Sequence, residues 1–355
     1  MGLHREKERN QAPCCADGPP EVPEPKLRIL DRAAHAGELP AWSRLRLLRL
    51  SITDRCNFRC RYCMPAEGVQ KMAHSEIPPL ETLVDLVRWL TSHTGIDRVR
   101  LTGGEPLVRR GIESLIAALS AIPEIQEVSL TTNGSLLPQM AQTLKAAGLS
   151  RVNVSLDSLD EERFAVISRG GNLQRTLEGI EAARDAGLTP IKLNTVLHRS
   201  TWREDVPRLL DYAAATGFEI RFIELMRTGT ERDWCDSEFI SVDEVRARLN
   251  VEAMPIAEEV TTPARKTQLN WCGSNLAVGW ISPRSHPFCD TCERLRMDAR
   301  GRIRRCLMDA AMLDLNDLLG SADGANAWAE FESYLAGKVP PGAMDSAFAM
   351  SQIGG

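Results

Sequence analysis

Cys56, Cys60 and Cys63 stand in the spacing C-x3-C-x2-C, just after an apolar run. Three thiolates on one short loop hold three corners of a cubane iron–sulfur cluster and leave the fourth iron open to a ligand. A tetrahedral zinc site prefers C-x2-C pairs with a fourth ligand nearby, which this stretch lacks. An aromatic residue, Tyr62, sits beside the last cysteine. The plainer alternative is three reduced structural cysteines in a loop.

A second triad, Cys289-x2-Cys292-x13-Cys306, again lacks a fourth ligand and predicts a second cluster with an open iron. Zinc there would have to borrow a ligand such as His286. Six arginines lie between positions 294 and 305. Beside an open cluster they suit a phosphorylated ligand, because guanidinium binds phosphate oxygens bidentately. A solvated basic surface is the plainer account of some of them. Thr102-Gly103-Gly104-Glu105-Pro106 closes a predicted strand. Its glycines would let backbone approach a ligand closely, and the Glu105 carboxylate would receive a cationic amine. The chain ends Met350-Ser351-Gln352-Ile353-Gly354-Gly355, which is either a frayed end or a diglycine able to thread into a narrow active site.

These groups need a scaffold, and the apolar periodicity supplies one. Predicted strands at 46–52, 98–102, 126–132, 151–156, 190–196 and 219–225 alternate with helix-like segments at 80–92, 111–121, 136–147, 160–167, 172–186 and 203–216. Strand–helix alternation implies an α/β fold with a parallel sheet, and six units fall short of a closed eight-fold barrel. The expectation is a partial (β/α)6 TIM-type barrel with a smaller C-terminal cluster-binding domain. The predicted organisation is a disordered extension over 1–40, the barrel over 41–236, the second-cluster domain over 237–336 with a helical stretch at 311–336, and a flexible tail over 337–355. Strand after strand carries polar residues on one face: Arg98 with Arg100, Thr131 with Asn133, Asn153 with Ser155 and Asp157, Lys192 with Asn194. Sheets under helices normally bury two apolar faces, so a polar, partly cationic lumen implies a polar and anionic ligand.

The chain has 355 residues, 43% of them hydrophobic and 26% charged, which is ordinary for a soluble globular protein. Its net charge of −5 argues against a dedicated nucleic-acid binder. No apolar run approaches the ~20 residues of a membrane span, and the charged N-terminal stretch lacks a signal core. Six of ten cysteines fall into the two triads, a pattern of metal ligation in a reducing compartment, and Cys14, Cys15, Cys235 and Cys272 are left over.

Together these segments resemble the GTP 3′,8-cyclase family of the radical S-adenosylmethionine (SAM) superfamily. The resemblance covers about residues 44–310 and the last six. It includes both triads, Gly103–Pro106, Thr131-Thr132-Asn133-Gly134, Val152–Leu159, Lys192-Leu193-Asn194, Arg221-Phe222-Ile223-Glu224 and the terminal Gly-Gly. It implies that Cys56, Cys60 and Cys63 hold a SAM-binding 4Fe-4S cluster, with Tyr62, Gly103, Gly104, Glu105, Thr131, Ser155 and Asn194 around SAM. Cys289, Cys292 and Cys306 would hold a second 4Fe-4S cluster whose open iron takes the guanine of GTP. Arg49, Arg98, Arg100, Lys192, Arg221, Arg294 and Arg296 match substrate positions, Lys192 and Arg221 at the triphosphate. Gly354 and Gly355 match a tail that enters the active site.

The implied reaction begins when electron transfer cleaves SAM to methionine and a 5′-deoxyadenosyl radical. That radical takes hydrogen from C3′ of GTP, the carbon radical closes onto C8, and a final electron, taken up with a proton, completes the dihydropurine. The product is (8S)-3′,8-cyclo-7,8-dihydroguanosine 5′-triphosphate, at the first step of molybdenum cofactor biosynthesis. An electron donor such as a flavodoxin, a functional link to cyclic pyranopterin monophosphate synthase, a cytoplasmic location and room for a homodimer follow from the same resemblance.

The chain departs from the family pattern at Glu293, commonly Asn, at Arg98, often Lys, and at Ser346-Ala347-Phe348-Ala349, where a basic residue often precedes the terminal motif. Two other readings stay open. A radical SAM enzyme that modifies peptides would explain both triads but neither the cationic lumen nor the diglycine. A non-enzymatic zinc-binding protein would carry zinc instead of iron.

Overall fold

The computed structural model describes residues 44–228, 231–249, 253–255, 263–321, 324–338, 345–346 and 350. The expected extension over 1–40 and the terminal Gly354 and Gly355 lie outside the described residues.

In β1 (Leu47–Ser51), Leu48 and Leu50 are fully buried and alternate with Arg49. The next strand follows the same rule. The chain then runs α1 (Leu80–His93), β2 (Arg98–Thr102), α2 (Ile112–Ser120), β3 (Glu127–Thr132), α3 (Leu137–Ala146), β4 (Arg151–Ser155), α4 (Glu161–Ser168), α5 (Leu173–Asp185), β5 (Lys192–Leu197), α6 (Trp202–Thr216) and β6 (Glu219–Glu224). Helix ends are marked by local chemistry. The Asp160 and Asn172 side chains accept from the amides of Arg163 and Arg175 to cap α4 and α5, and Gly217 ends α6 with a positive φ. Strands β1 to β6 are all parallel, so each crossover carries helices over the outer face. Val99, Leu101, Val128, Leu130, Val152, Val154 and Leu193 face those helices in one continuous apolar core. Each such side chain contributes roughly 1.5–3 kcal/mol by leaving water.

Beyond the sixth strand come β7 (Arg227–Thr228), α7 (Arg232–Ser237), α8 (Val242–Leu249), β8 (Ala253–Pro255), β9 (Arg265–Trp271), β10 (Ser274–Ile281), β11 (Arg294–Met297), β12 (Arg302–Arg304), β13 (Leu313–Asp314), α9 (Leu315–Ser321), α10 (Gly324–Ala336) and β14 (Asp345–Ser346). Where strand–helix alternation lapses, the sheet does not stop. β10 joins β6 in parallel and β11 joins β1 in parallel. Among the described residues the main sheet has twelve strands in the order β13-β12-β11-β1-β2-β3-β4-β5-β6-β10-β9-β8, and its two ends do not pair. The fold is therefore an open, partial barrel. The helical stretch expected at 311–336 is broken into β13, α9 and α10. β14 pairs in parallel with β7, and the amide of Met350 donates to the carbonyl of Cys63 at 3.1 Å.

Candidate active site

The first triad sits on the loop that leaves the C-terminal end of β1. In a parallel sheet all strands from β1 to β6 end on that side, where such folds collect ligands. The loop is stitched down by its backbone: the amides of Arg59 and Arg61 donate to the carbonyls of Ser168 and Ile167, each at 2.9 Å. Those of Cys63 and Met64 both donate to the Cys60 carbonyl. None of the three cysteines is in a disulfide, and all three are partly buried. Burial pushes the Cys56 thiol up to about 11. It raises Cys60 further, with Cys63, Asp157 and Cys56 adding to the effect. Three mutually repelling thiolates of this kind need an adjacent positive centre to stay ionised, which iron supplies. Among the described residues no three His, Cys, Asp or Glu side chains converge as ligands of one metal ion. The chemistry of the donor set fits a cluster several ångströms across.

The glycine pair also serves the cysteine loop itself. A Cβ on Gly104 would lie 2.3 Å from the Arg55 carbonyl oxygen, and one on Gly103 would lie 2.6 Å from that of Thr53. The close approach they permit is therefore to the cysteine loop, with Gly104 and Glu105 amides donating to Thr53 and Arg55 carbonyls at 2.8 Å each. Glu105 also has a structural task. It is buried, and it accepts from the Leu107 amide at 3.0 Å, the Thr132 hydroxyl at 2.8 Å and the Asn133 amide at 2.8 Å. It fastens the ends of β2 and β3 together. Asn133 in turn donates from Nδ2 to Asn57 Oδ1 at 2.9 Å, and Asn57 Nδ2 donates to Ser135 Oγ at 2.9 Å. The Tyr62 hydroxyl donates to Asp157 at 2.8 Å, while the other Asp157 oxygen accepts from the Val196 amide. The cysteine loop is thus gripped by the ends of four strands.

Next to these braces, polar atoms are left over. Thr131 Oγ1, Asn194 Oδ1 and Thr102 Oγ1 are buried without a hydrogen-bond partner. Ser155 is the in-register neighbour of Asn194. Leaving a buried polar atom unsatisfied costs ~1–3 kcal/mol, so such a set marks where a polar ligand would bind. Thr131, Ser155 and Asn194 are the positions expected around SAM.

The second triad lies at the opposite end. Cys289 and Cys292 precede β11, which runs parallel to β1, and Cys306 follows β12, which runs antiparallel to β11. Both connections therefore lie beside the N-terminal ends of the barrel strands. Cys306 and Cys292 raise the Cys289 thiol after burial does. Cys292 goes the other way: burial opposes ionisation, but Arg294 and Lys338 bring it down to about 7. Lys338 donates to the carbonyls of Arg294 and Arg305, which carries it in beside the triad. Glu293 reaches Arg98 with 3.6 Å between charged atoms.

Between the two ends the lumen is cationic. Pairing sets Arg304, Arg296, Arg49, Arg100, Ser129 and Arg151 in one row across six strands, hence on one face. Burial, then Arg296, Arg100 and Arg294, hold Arg49 well below the usual arginine range. Arg100 is brought to about 9 by burial and then by Arg151 and Arg221. Arg296 falls to about 10 through burial and Arg294. A field that opposes its own cations is one that an anionic ligand relieves. Arg151 pairs with Glu127, and Lys192 and Lys266 both pair with Glu219, so five participants were not evident from the sequence: Arg151, Lys266, Lys338, Glu127 and Glu219. Of these, Arg151 left a local signal, since it precedes Asn153 and Ser155 in the same alternation. The other four are assigned by strand pairing and tertiary packing alone.

Residues 50–213 match the radical SAM superfamily, and residues 218–339 match the molybdenum cofactor synthesis C family. A GTP 3′,8-cyclase of Pelotomaculum thermopropionicum is 43% identical over 281 residues, 78% of this chain and 86% of that protein. One of Moorella thermoacetica is 41% identical over 314 residues, 87% of this chain and 97% of that protein. Among solved structures, Streptococcus suis SuiB bound to S-adenosylmethionine is similar at a TM-score of 0.52 and 14% identity, covering 81% of this chain and 64% of that one. That likeness concerns the fold.

Proposed function

The chain belongs to the GTP 3′,8-cyclase family of the radical SAM superfamily, and on that premise we propose that it converts GTP to its 3′,8-cyclised isomer at the first step of molybdenum cofactor biosynthesis. One observation carries the reading within this chain: two cysteine triads at opposite ends of a lumen whose wall between them is a row of arginines. The barrel strands are about 15 Å long at ~3.3 Å per residue. A nucleotide can therefore span from one end toward the other.

Its cofactors are SAM and two 4Fe-4S clusters. Cys56, Cys60 and Cys63 would hold one cluster, which would supply reducing electrons for SAM cleavage, and Cys289, Cys292 and Cys306 would hold the other, which would offer an open iron to the purine. The chain does the rest. Thr131 and Asn194 would receive SAM with their unused polar atoms, together with Ser155 and beside Tyr62 and the backbone of Gly103 and Gly104. Arg49, Arg98, Arg100, Lys192 and Arg221 would hold the substrate, the last two at its phosphates, and Arg294 and Arg296 would line the second-cluster end. Fixing both partners before the electron arrives sets C3′ in reach of the abstracting carbon and keeps C8 in reach of C3′. Closing the lumen to water protects the short-lived radical. The Met350–Cys63 hydrogen bond supports a tail that brings Gly354 and Gly355 to this site.

The boundaries we propose are a radical SAM barrel over 41–236, a second-cluster domain over 237–336 and a tail over 337–355. No described helix is long and apolar enough to cross a membrane. A cytoplasmic setting suits six cluster-ligating thiols, a flavodoxin-type protein suits the electron supply, and a cyclic pyranopterin monophosphate synthase would consume the product. A homodimer is compatible with this arrangement.

The test is product analysis. Anaerobically reconstituted protein with SAM, reductant and GTP should yield a nucleotide of unchanged mass that is no longer GTP. SAM cleavage indifferent to GTP would reopen the substrate and favour peptide modification.

A further inference from the structure

Three cations converge on one carboxylate at the side of the lumen formed by β5, β6 and β9. Arg221 Nε lies 2.6 Å from Glu219 Oε1, while Lys266 Nζ and Lys192 Nζ lie 3.3 and 3.6 Å from Oε2. The register explains the convergence. Glu219 opens β6 and faces Lys192 directly on β5, and Arg221 is two residues on, hence on the same face. On the other side Arg221, Gly279 and Lys266 form one row across β6, β10 and β9. A Cβ on Gly279 would lie 2.9 Å from Arg221 Cγ. The glycine therefore lets the arginine lie flat over β10, which brings Lys266 into the group from two strands away.

The charges do not balance. Three cations meet one anion, and the neighbouring carboxylate of Glu127 is already taken bidentately by Arg151 at 2.8 and 3.0 Å. Glu219 stays readily ionised here: burial opposes that, but Arg221 and Lys192 outweigh it. A single carboxylate in a pocket built for more negative charge holds the cations in place without satisfying them. A phosphate chain offers more charge and more acceptors to the same donors.

We infer that Glu219 is the resident counter-anion of the phosphate subsite, exchanged for the phosphate chain when the nucleotide binds, and that Lys266 joins Lys192 and Arg221 in holding that chain. The inference rests on the reading of the lumen as a GTP site and deepens it: the cost of displacing Glu219 selects polyphosphates over ligands of low charge. A mono-anion cannot outbid a carboxylate already in contact, whereas a triphosphate can.

The probe is inorganic tripolyphosphate, titrated into the anaerobically reconstituted holoprotein, with SAM binding as the check on folding. Glu219→Gln removes the competitor and should tighten tripolyphosphate about tenfold, ~1.4 kcal/mol. It should also make orthophosphate a competitor at concentrations the parent protein ignores. Lys266→Gln keeps the competitor but removes a cation, so tripolyphosphate should weaken several-fold with a shallower salt dependence. Unchanged or weaker binding by a Glu219→Gln protein that still takes SAM would overturn the exchange. If that variant does not fold, an unaltered Lys266→Gln affinity overturns the inference instead. The two readings fail separately: GTP turnover with no response of tripolyphosphate to either substitution sinks only this inference. Tripolyphosphate binding that responds as described, without GTP-dependent SAM cleavage, sinks only the cyclase.

Discussion

The amide of Met350 donates to the carbonyl of Cys63 at 3.1 Å, which ties the C-terminal segment to the last cysteine of the first triad. Four residues earlier β14 is paired with β7, so the segment is held at two points before it reaches its end. Gly355 stands five positions beyond Met350 in the chain. Deleting Gly354 and Gly355 leaves both anchors in place. Cyclised product should fall at least a hundredfold, while melting temperature and iron content stay within error of the full chain. Loss of iron on deletion would mean that the tail supports the fold instead.

Gly104 should prove intolerant of a side chain. Alanine there would set a Cβ 2.3 Å from the Arg55 carbonyl, a contact only backbone movement can relieve. The expected cost is ~1–3 kcal/mol. More telling is where it falls: Gly104→Ala should lose the iron of the first cluster and retain that of the second. Iron and sulfide analysis would drop to about half, matching a Cys60→Ser protein. Loss of both clusters together would mean that the substitution unfolds the chain globally.

The barrel was legible because it is made of local signals. Six strands and their helices announce themselves by periodicity, and the observed ends differ from the expected ones by a residue or two. The two triads and the polar face were legible for the same reason. Glu105 was not. A carboxylate after two glycines says nothing of Thr132 and Asn133, about 27 residues on, whose donors brace it. Likewise β9 and β10 carry Lys266, Gln268 and Asn270 on one face and no following helix, so nothing local ties them to β6. Their place is decided by long-range pairing.

Protonation should couple to polyanion binding near neutral pH. Burial first, and then Arg221, bring Lys192 down to about 7. In the free protein this lysine loses its proton as pH rises through 7. A bound phosphate chain favours the charged form, so the bound lysine keeps its proton to higher pH. Affinity for tripolyphosphate should therefore be steady below pH 6.5 and fall above 7, by up to tenfold per unit. Titrations in buffers of different ionisation enthalpy should report proton uptake at pH 8, and a Lys192→Arg protein should show less. For folding the sign is opposite: the buried cation is a burden at low pH that lifts between about 7 and its unfolded value.

Glu293 and Arg98 occupy positions where the family commonly has Asn and often Lys, and the structure sets them 3.6 Å apart. The side chains of Arg98 and Glu293 remain 32% and 22% exposed, a setting in which ion pairs contribute ~0.2–1 kcal/mol. A double-mutant cycle with Glu293→Asn and Arg98→Lys should give a coupling of that size in thermal stability. The double variant should keep both clusters. Additive effects would mean that the two departures are independent.

The central claim is that a carbon radical made from SAM takes the C3′ hydrogen of GTP held in this lumen. The most direct measurement uses GTP deuterated at C3′ with anaerobically reconstituted protein, SAM and reductant, followed by mass analysis of the 5′-deoxyadenosine released. Release should rise with GTP and the 5′-deoxyadenosine should carry one deuterium, alongside a nucleotide product that has lost it. Unlabelled 5′-deoxyadenosine from protein with both clusters intact, at a rate GTP does not change, would contradict it.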